Sequence, residues 1–539
     1  MQTHDEEFSF KSLFTPVSTL KAIHIIIVVG IFVFFNVLFN GMVWDDLAIF
    51  QSPDITGGFN IYNLFKGNIF NILGYYRPLG AVYFSLLYGI FGANVFFYHL
   101  IQISLHIATS ILVFLLFKKF FASPKSLLLS LIFLVHPMNV ESVVFISSTI
   151  SVNALFFGLL AFLLATGKNI SYKKYLLIGI LLWCSLLTKE LGITMVLLLC
   201  LYVFIFLKER FKPLLAIGAI TLSIYALMHL LVTPVRYSTK FYIPITELSL
   251  QERILNIPSI IMYYVKTFIF PQQLSINQLW IIKDITLYNF YLPLLLILLF
   301  IGFLLKFILS LHKTKDEMLK TFVFFLIWFC ISFFMYLQIF PLQDTVADRW
   351  FYLPIIGLLG MIGVVTQRIS SKNISVKRIG MYVVIVLIVL LSIRTMIRSS
   401  NWQNELTLYS HDIQVEDNYQ MEDMLGTAYY SNKINNQALY HLKRSVLLYP
   451  HQAVGWYKLG ILYVDLGNRK LGEKYLRHSI DLDQNFDLPN YALAMYTYKY
   501  ESAKAALPMA NDLVKKFPDK LLYIEFQKQI EHSLKNNNN

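Results

Sequence analysis

The chain has 539 residues, of which 57% are hydrophobic and only 14% charged, and its mean hydropathy is +0.59. Apolar runs of about twenty residues recur through residues 1–400, which excludes a soluble domain, since such a domain has nowhere to bury them. The net charge of +13 lies in short loops between those runs, not in a basic stripe interleaved with aromatics, so it points to membrane orientation and away from nucleic acid.

The start, "MQTHDEEFSFKSLF", turns from acidic to basic and lacks a small-residue cleavage site, so "AIHIIIVVGIFVFFNVLF" reads as a retained first span. The apolar pattern predicts an all-α polytopic protein with about eleven spans: 22–41, 96–117, 126–144, 148–167, 174–188, 191–207, 213–232, 289–309, 320–338, 351–367 and 378–396. The stretches 79–91 and 259–270 are short for a crossing, and counting both would give thirteen. With the N-terminus inside, the loops 117–125, 167–174, 207–212, 311–320 and 367–378 all fall on the cytoplasmic side, and each is rich in Lys and Arg. Cys184, Cys200 and Cys330 all lie within apolar runs, with no CxxC pair and no disulfide framework.

The same topology gathers a different set of residues on the outer face. Asp45 and Asp46 follow Trp44 at the end of the first span. Such carboxylates can take a proton from an alcohol, hold a metal, or simply mark the interface. Arg77 precedes a proline in "YYRPLG", where its planar fork suits a phosphate and its stem equally suits snorkelling. His136 and Glu141 flank a break in "VHPMNVES"; their spacing of five is not that of two ligands on one helical face. Lys189 and Glu190 lie in "LLTKELG", and "PLQDTVADRWFYLP" holds Asp344, Asp348 and Arg349. Arg349 is able to bind a phosphate or to pair with a carboxylate. "FIFPQQLS" is a polar break with no evident chemistry. Charges at such depths are costly unless paired or solvated, so together they suggest a polar cleft.

After about residue 400 the composition turns polar and a 34-residue period appears. Gly426, Gly460 and Ala494 form one series, and Ala438, Gly472 and Ala506 a second. The middle unit places Trp456, Leu459, Gly460, Tyr463 and Gly467 at tetratricopeptide-like positions. Small residues at fixed positions let the two helices of each repeat pack closely. We read a membrane domain over 1–400 and a repeat domain over 405–539. The repeat domain offers a surface for a peptide or protein partner, or else a stabilising lid or a dimer contact. Preceded by an odd number of spans, it falls outside the cytoplasm.

Taken in order, Asp45-Asp46, "YYRPL", "HPMNVESV", "TKELGIT", "ADRWFYLPIIG" and the repeats resemble the transmembrane and tetratricopeptide-repeat O-mannosyltransferase-like proteins and their bacterial relatives, within the GT-C superfamily. The resemblance runs nearly the whole length of the chain. It implies a glycosyltransferase that takes a sugar from a polyprenyl-phosphate carrier on the extracytoplasmic face. The sugar, a mannose or another hexose, would pass with inversion to a hydroxyl of a protein or a glycan. It implies that one of Asp45 and Asp46 is the base, here assigned to Asp45, with Asp46 orienting it or binding the acceptor or a metal. Arg349, then Arg77 and Lys189, become candidates for the donor phosphate. His136, Glu141, Glu190 and Asp348 become acceptor-side or supporting residues. The short tail, next to the longer arrays of eukaryotic members, suggests a bacterial inner-membrane protein with its repeats in the periplasm. The rival functions are a repeat scaffold with an inactive membrane part and a lipid-linked sugar transporter; the scarcity of mid-span charges disfavours the transporter.

Overall fold

The computed structural model describes residues 18–67, 70, 74–167, 170–232, 243–314, 316–369, 374–518 and 520–536. The segment 1–14 and parts of the basic loops near 168, 315 and 370–373 lie outside the described residues. Every regular element described is helical, and an isolated antiparallel bridge joins Gln278 to Val346. The chain forms two compact units, Met1–Leu408 and Tyr409–Asn539.

Within the first unit, six described helices are long and apolar enough to cross a membrane: Thr19–Phe39, Val95–Phe117, Ile146–Ala165, Lys208–Val232, Leu287–Lys313 and Arg378–Asn401. A seventh arises if Ser123–Val135 and Pro137–Val144, bent by 51°, count as one span. The expectation of eleven is therefore corrected to six or seven. The other four predicted spans are helices, but short ones. Tyr172–Thr188 and Met318–Phe334 have 17 residues, and Leu191–Phe206 and Pro354–Ile369 have 16. At 1.5 Å per residue they reach roughly 25 Å, short of a hydrocarbon core of about 30 Å. The side assigned to the tail rested on an odd count, which seven spans keep and six reverse. What stands is a multi-pass membrane protein.

The bend at His136 follows from Pro137, which removes a donor and frees carbonyl oxygens in the preceding turn. Side chains satisfy them. Asn139 Nδ2 donates to the Phe133 oxygen at 2.6 Å, His106 Nε2 to that of Leu134 at 2.9 Å, and Thr395 Oγ1 to that of Val135 at 2.7 Å. A helix is able to break at membrane depth only where the freed groups find such partners. Met138 N donates to His136 Nδ1 at 3.3 Å, which caps the turn after the break.

The second unit contains three helix pairs: Tyr419–Ser431 with Asn435–Leu448, Ala453–Asp465 with Arg469–Leu482, and Leu488–Tyr500 with Ala503–Lys516. A last helix, Leu521–Asn536, follows. This is the helix-pair architecture of a repeat solenoid. The period-34 small residues sit where the helices of a pair touch. A Cβ on Gly460 would come within 2.9 Å of the Leu476 side chain and 3.1 Å of the Gly472 oxygen. The equivalent Gly426 faces Leu442, and Ala494 is fully buried. Trp456 donates its indole N–H to the Pro450 oxygen at 2.7 Å, closing one repeat junction. Adjacent repeats are tied by Lys458 to Asp423 and by Tyr430 to Asp465.

Candidate active site

The aspartate pair opens a short helix, Asp45–Gln51, outside the spans. The turn that launches it is unusual: Trp44 has φ 54° and ψ −126°, a region that residues bearing a Cβ rarely occupy. Its ring stacks on Phe145 at 5.3 Å and 11°, and the Arg349 guanidinium lies 5.5 Å from the ring centre. These contacts hold a turn that sequence alone disfavours.

The two aspartates then part company. Asp46 is buried. Its Oδ1 accepts from Ser147 N at 2.7 Å and from Ser147 Oγ at 2.6 Å, and its Oδ2 accepts from Val43 N at 3.3 Å. Burial pushes its carboxyl up to about 7, against the pull of the Ser147 bonds. Asp45 is exposed, and its carboxylate makes no hydrogen bond among the described residues. Desolvation by the surrounding protein nevertheless raises its pKa from the ordinary value, and the Arg349 charge lowers it in part. Asp45 is thus the carboxylate left facing open space, and Asp46 anchors it to the first turn of the span Ile146–Ala165.

That span bears a second attachment one turn further on. Lys189 Nζ donates to Ser151 Oγ at 2.6 Å. Burial, then repulsion from Arg77, lowers the lysine to about 7, with Glu190 opposing. Gly192 makes the tight return after it, since a Cβ there would lie 2.5 Å from Leu186 N. Arg77 grips Glu190 in a fork, Nη2 to Oε2 at 2.7 Å and Nε to Oε2 at 3.0 Å, and its guanidinium lies 4.0 Å from the Tyr75 ring centre. The fork holds the Glu190 carboxyl below its ordinary value despite burial, which by itself would raise it.

Arg349 is committed in the same way, to two partners. Nη1 pairs with Glu141 Oε1, Nη2 donates to Asp344 Oδ2 at 2.7 Å, and the Arg349 backbone N donates to Glu141 Oε2 at 2.9 Å. Its side chain is 14% exposed, and a cation at that depth needs such partners. Burial pushes Asp344 up to about 6, Arg349 draws it down, and Glu141 pushes it up further. Asp344 Oδ1 accepts from Asn277 Nδ2 at 3.3 Å. Asp348 accepts instead from Tyr263 Oη at 2.7 Å, and Gln278 Nε2 donates to that same hydroxyl at 2.8 Å.

The structure therefore brings Asp45, Asp46, Arg77, Glu141, Lys189, Glu190 and Arg349 into one charged site. His136 supports the backbone: Nε2 donates to the Phe268 oxygen at 3.0 Å, and Nδ1 caps Met138. Sequence reasoning missed Ser147 and Ser151, whose spacing of four at the head of an apolar run was the available signal. It also passed over Asn277 and Gln278, which follow the polar break at 268–275. Among the described residues, no group of three or more His, Cys, Asp or Glu is arranged to hold a metal.

An all-helical, multi-pass membrane protein with a carboxylate–cation site and a helical-repeat tail is the class these observations define. No family model matches the chain. It is similar in sequence to animal protein O-mannosyl-transferases. Human protein O-mannosyl-transferase TMTC3 is 24% identical over 507 residues, covering 84% of this chain and 54% of that protein. Protein O-mannosyl-transferase F38B6.6 of Caenorhabditis elegans is 25% identical over 439 residues, 74% of this chain and 58% of that protein. Human protein O-mannosyl-transferase TMTC2 is 30% identical over 205 residues, 34% of this chain and 24% of that protein. The chain thus spans about half the length of the two longer matches. The relatives found are animal proteins, so the expected bacterial affiliation draws no support from them.

Proposed function

We propose that this chain transfers a hexose, mannose in the first instance, from a polyprenyl-phosphate carrier to a hydroxyl of a protein or glycan. The observation that carries the reading is the exposed Asp45, next to the anchored Asp46 and in the field of the half-buried Arg349. In one displacement the acceptor oxygen bonds to the anomeric carbon as the bond from that carbon to the phosphate oxygen breaks. The acceptor proton passes to Asp45, polyprenyl phosphate departs, and the anomeric centre inverts. Charge growing on the phosphate calls for a fixed cation. Arg349 and Arg77 are paired with carboxylates, whereas Lys189 donates to the neutral Ser151 Oγ, so Lys189 becomes the first candidate.

The extracytoplasmic face is favoured by charge. The spans Val95–Phe117 and Ile146–Ala165 meet the site at one end, through Gln102 to the Phe145 oxygen and through Ser147 to Asp46, and run into Lys-rich loops at the other. The repeat unit is proposed to present protein acceptors. The test is reconstituted protein with synthetic polyprenyl-phosphate mannose and a Ser/Thr peptide, with product read by mass spectrometry. Asp45→Asn should lose roughly 10²- to 10⁴-fold in rate while still binding donor. Wild-type turnover by that variant would remove Asp45 as the base.

A further inference from the structure

At the ends remote from the site, roughly 30 Å along their axes, the spans Val95–Phe117 and Ile146–Ala165 flank an open cavity of about 410 Å³ lined by Leu115, Lys118, Lys119 and Leu163. None of these residues belongs to the candidate site. The wall is apolar where it follows the spans and cationic where the first span ends. Lys118 donates to Thr19 Oγ1 at the start of the N-terminal span and lies 5.8 Å from the Phe114 ring centre. Lys119 is exposed, and its ammonium has no hydrogen-bond or ion-pair partner among the described residues. A third cation closes the neighbouring helix end: Arg210 donates to the oxygens of Ala165 and Gly167 at 3.2 and 2.6 Å.

We propose that an anionic phospholipid occupies this cavity, its phosphate between Lys118 and Lys119 and the start of an acyl chain along Leu115 and Leu163. Lysines at a membrane surface attract anionic headgroups, while the stems of the spans already meet hydrocarbon. Each such lysine is worth roughly a fivefold gain in binding, the pair roughly thirtyfold. A zwitterionic lipid gains little from them. This inference is independent of the sugar-transfer reading.

The full-length protein in nanodiscs of phosphatidylcholine with a small fraction of phosphatidylglycerol tests it, with retained lipid read by native mass spectrometry. Preferential retention of one phosphatidylglycerol per chain is expected. Lys119→Gln should weaken retention roughly fivefold and Lys118→Gln with Lys119→Gln roughly thirtyfold. Lys118 also secures Thr19, so the single Lys119→Gln variant, with a wild-type circular dichroism spectrum, keeps the test free of folding effects. Equal retention of the two lipids by the wild type, or unchanged retention by Lys119→Gln, overturns the proposal. Competition by inorganic phosphate at lipid-like affinity would mark a free-anion site and overturn it as well.

Discussion

Asp45 and Asp46 are adjacent, yet the first turn of a helix sends neighbouring side chains in directions about 100° apart. Asp46 turns inward to Ser147 and Asp45 outward. Sequence made the pair visible and Asp45 the assigned base, but it held no physical ground for separating the two, because the helix start that parts them depends on the Trp44 turn. Removing Asp46 leaves the Ser147 and Val43 N–H groups without their acceptor. Asp46→Ala should therefore lower stability by about 1–3 kcal/mol, read as a fall in melting temperature; an unchanged melting temperature would mean that the turn holds without it. The pH profile separates two further groups. Lys189 is charged below its lowered pKa of about 7, so donor capture, and with it kcat/KM, should decline as pH rises through about 7. Asp45 acts as base only when ionised, and desolvation by the surrounding protein raises its pKa, so the acid limb should lie above the ordinary aspartate range. Lys189→Arg remains charged and should move the alkaline limb upward. A wild-type profile flat between about pH 6 and 8 would remove Lys189 from donor binding.

At the scale of elements, the break at "HPMNVES" was legible because a proline inside an apolar run forces one. The span count was not. Helices of 16 and 17 residues, such as Leu191–Phe206 and Met318–Phe334, carry the hydropathy of a crossing without its length, and apolar flanks lengthen them on paper. The partners of Arg349 were equally hidden. Asp348 is its neighbour in sequence, but the 3₁₀ turn Asp348–Phe351 gives Asp348 to Tyr263, and the guanidinium reaches Glu141, 208 positions away in the chain. Gly192 tests how tightly such elements hold the site. An added Cβ would meet Leu186 N at 2.5 Å and Leu186 Cα at 2.7 Å, so the backbone carrying Lys189 and Glu190 must shift. Gly192→Ala should lose about 1–3 kcal/mol of stability and roughly 10²-fold in transfer rate, because Glu190 then withdraws from the Arg77 fork. Melting temperature and transfer rate both at wild-type values would mean that the turn has slack.

Across the whole molecule, the residues brought into the charged site run from Asp45 to Arg349, all within the unit Met1–Leu408. The repeat unit has its own buried clusters, one around Ala438, Leu442 and Leu459, one around Val464, Leu476 and Leu493, and one around Ala494, Ala506 and Tyr523. Solenoid repeats draw their stability from nearest neighbours, so each cluster depends on the next repeat rather than on a distant core. That is why the tail was readable from a 34-residue period of small residues, whereas the site, assembled from segments hundreds of positions apart, was readable as charges gathered on one face but not as the pairs they form. The same division predicts how function separates. A chain ended after Leu408 keeps the whole charged site and should transfer sugar to a short Ser/Thr peptide with kcat near that of the full chain. If the repeats present protein acceptors, the same truncation should raise KM for a folded acceptor at least tenfold, the loss expected when a second binding module is removed. The repeat fragment Tyr409–Asn539, expressed alone, should give a helical circular dichroism spectrum and a cooperative melt. Loss of peptide transfer by a truncated membrane unit that still folds would show that the repeats are part of the catalytic machinery, and the separation of recruitment from chemistry would then fail.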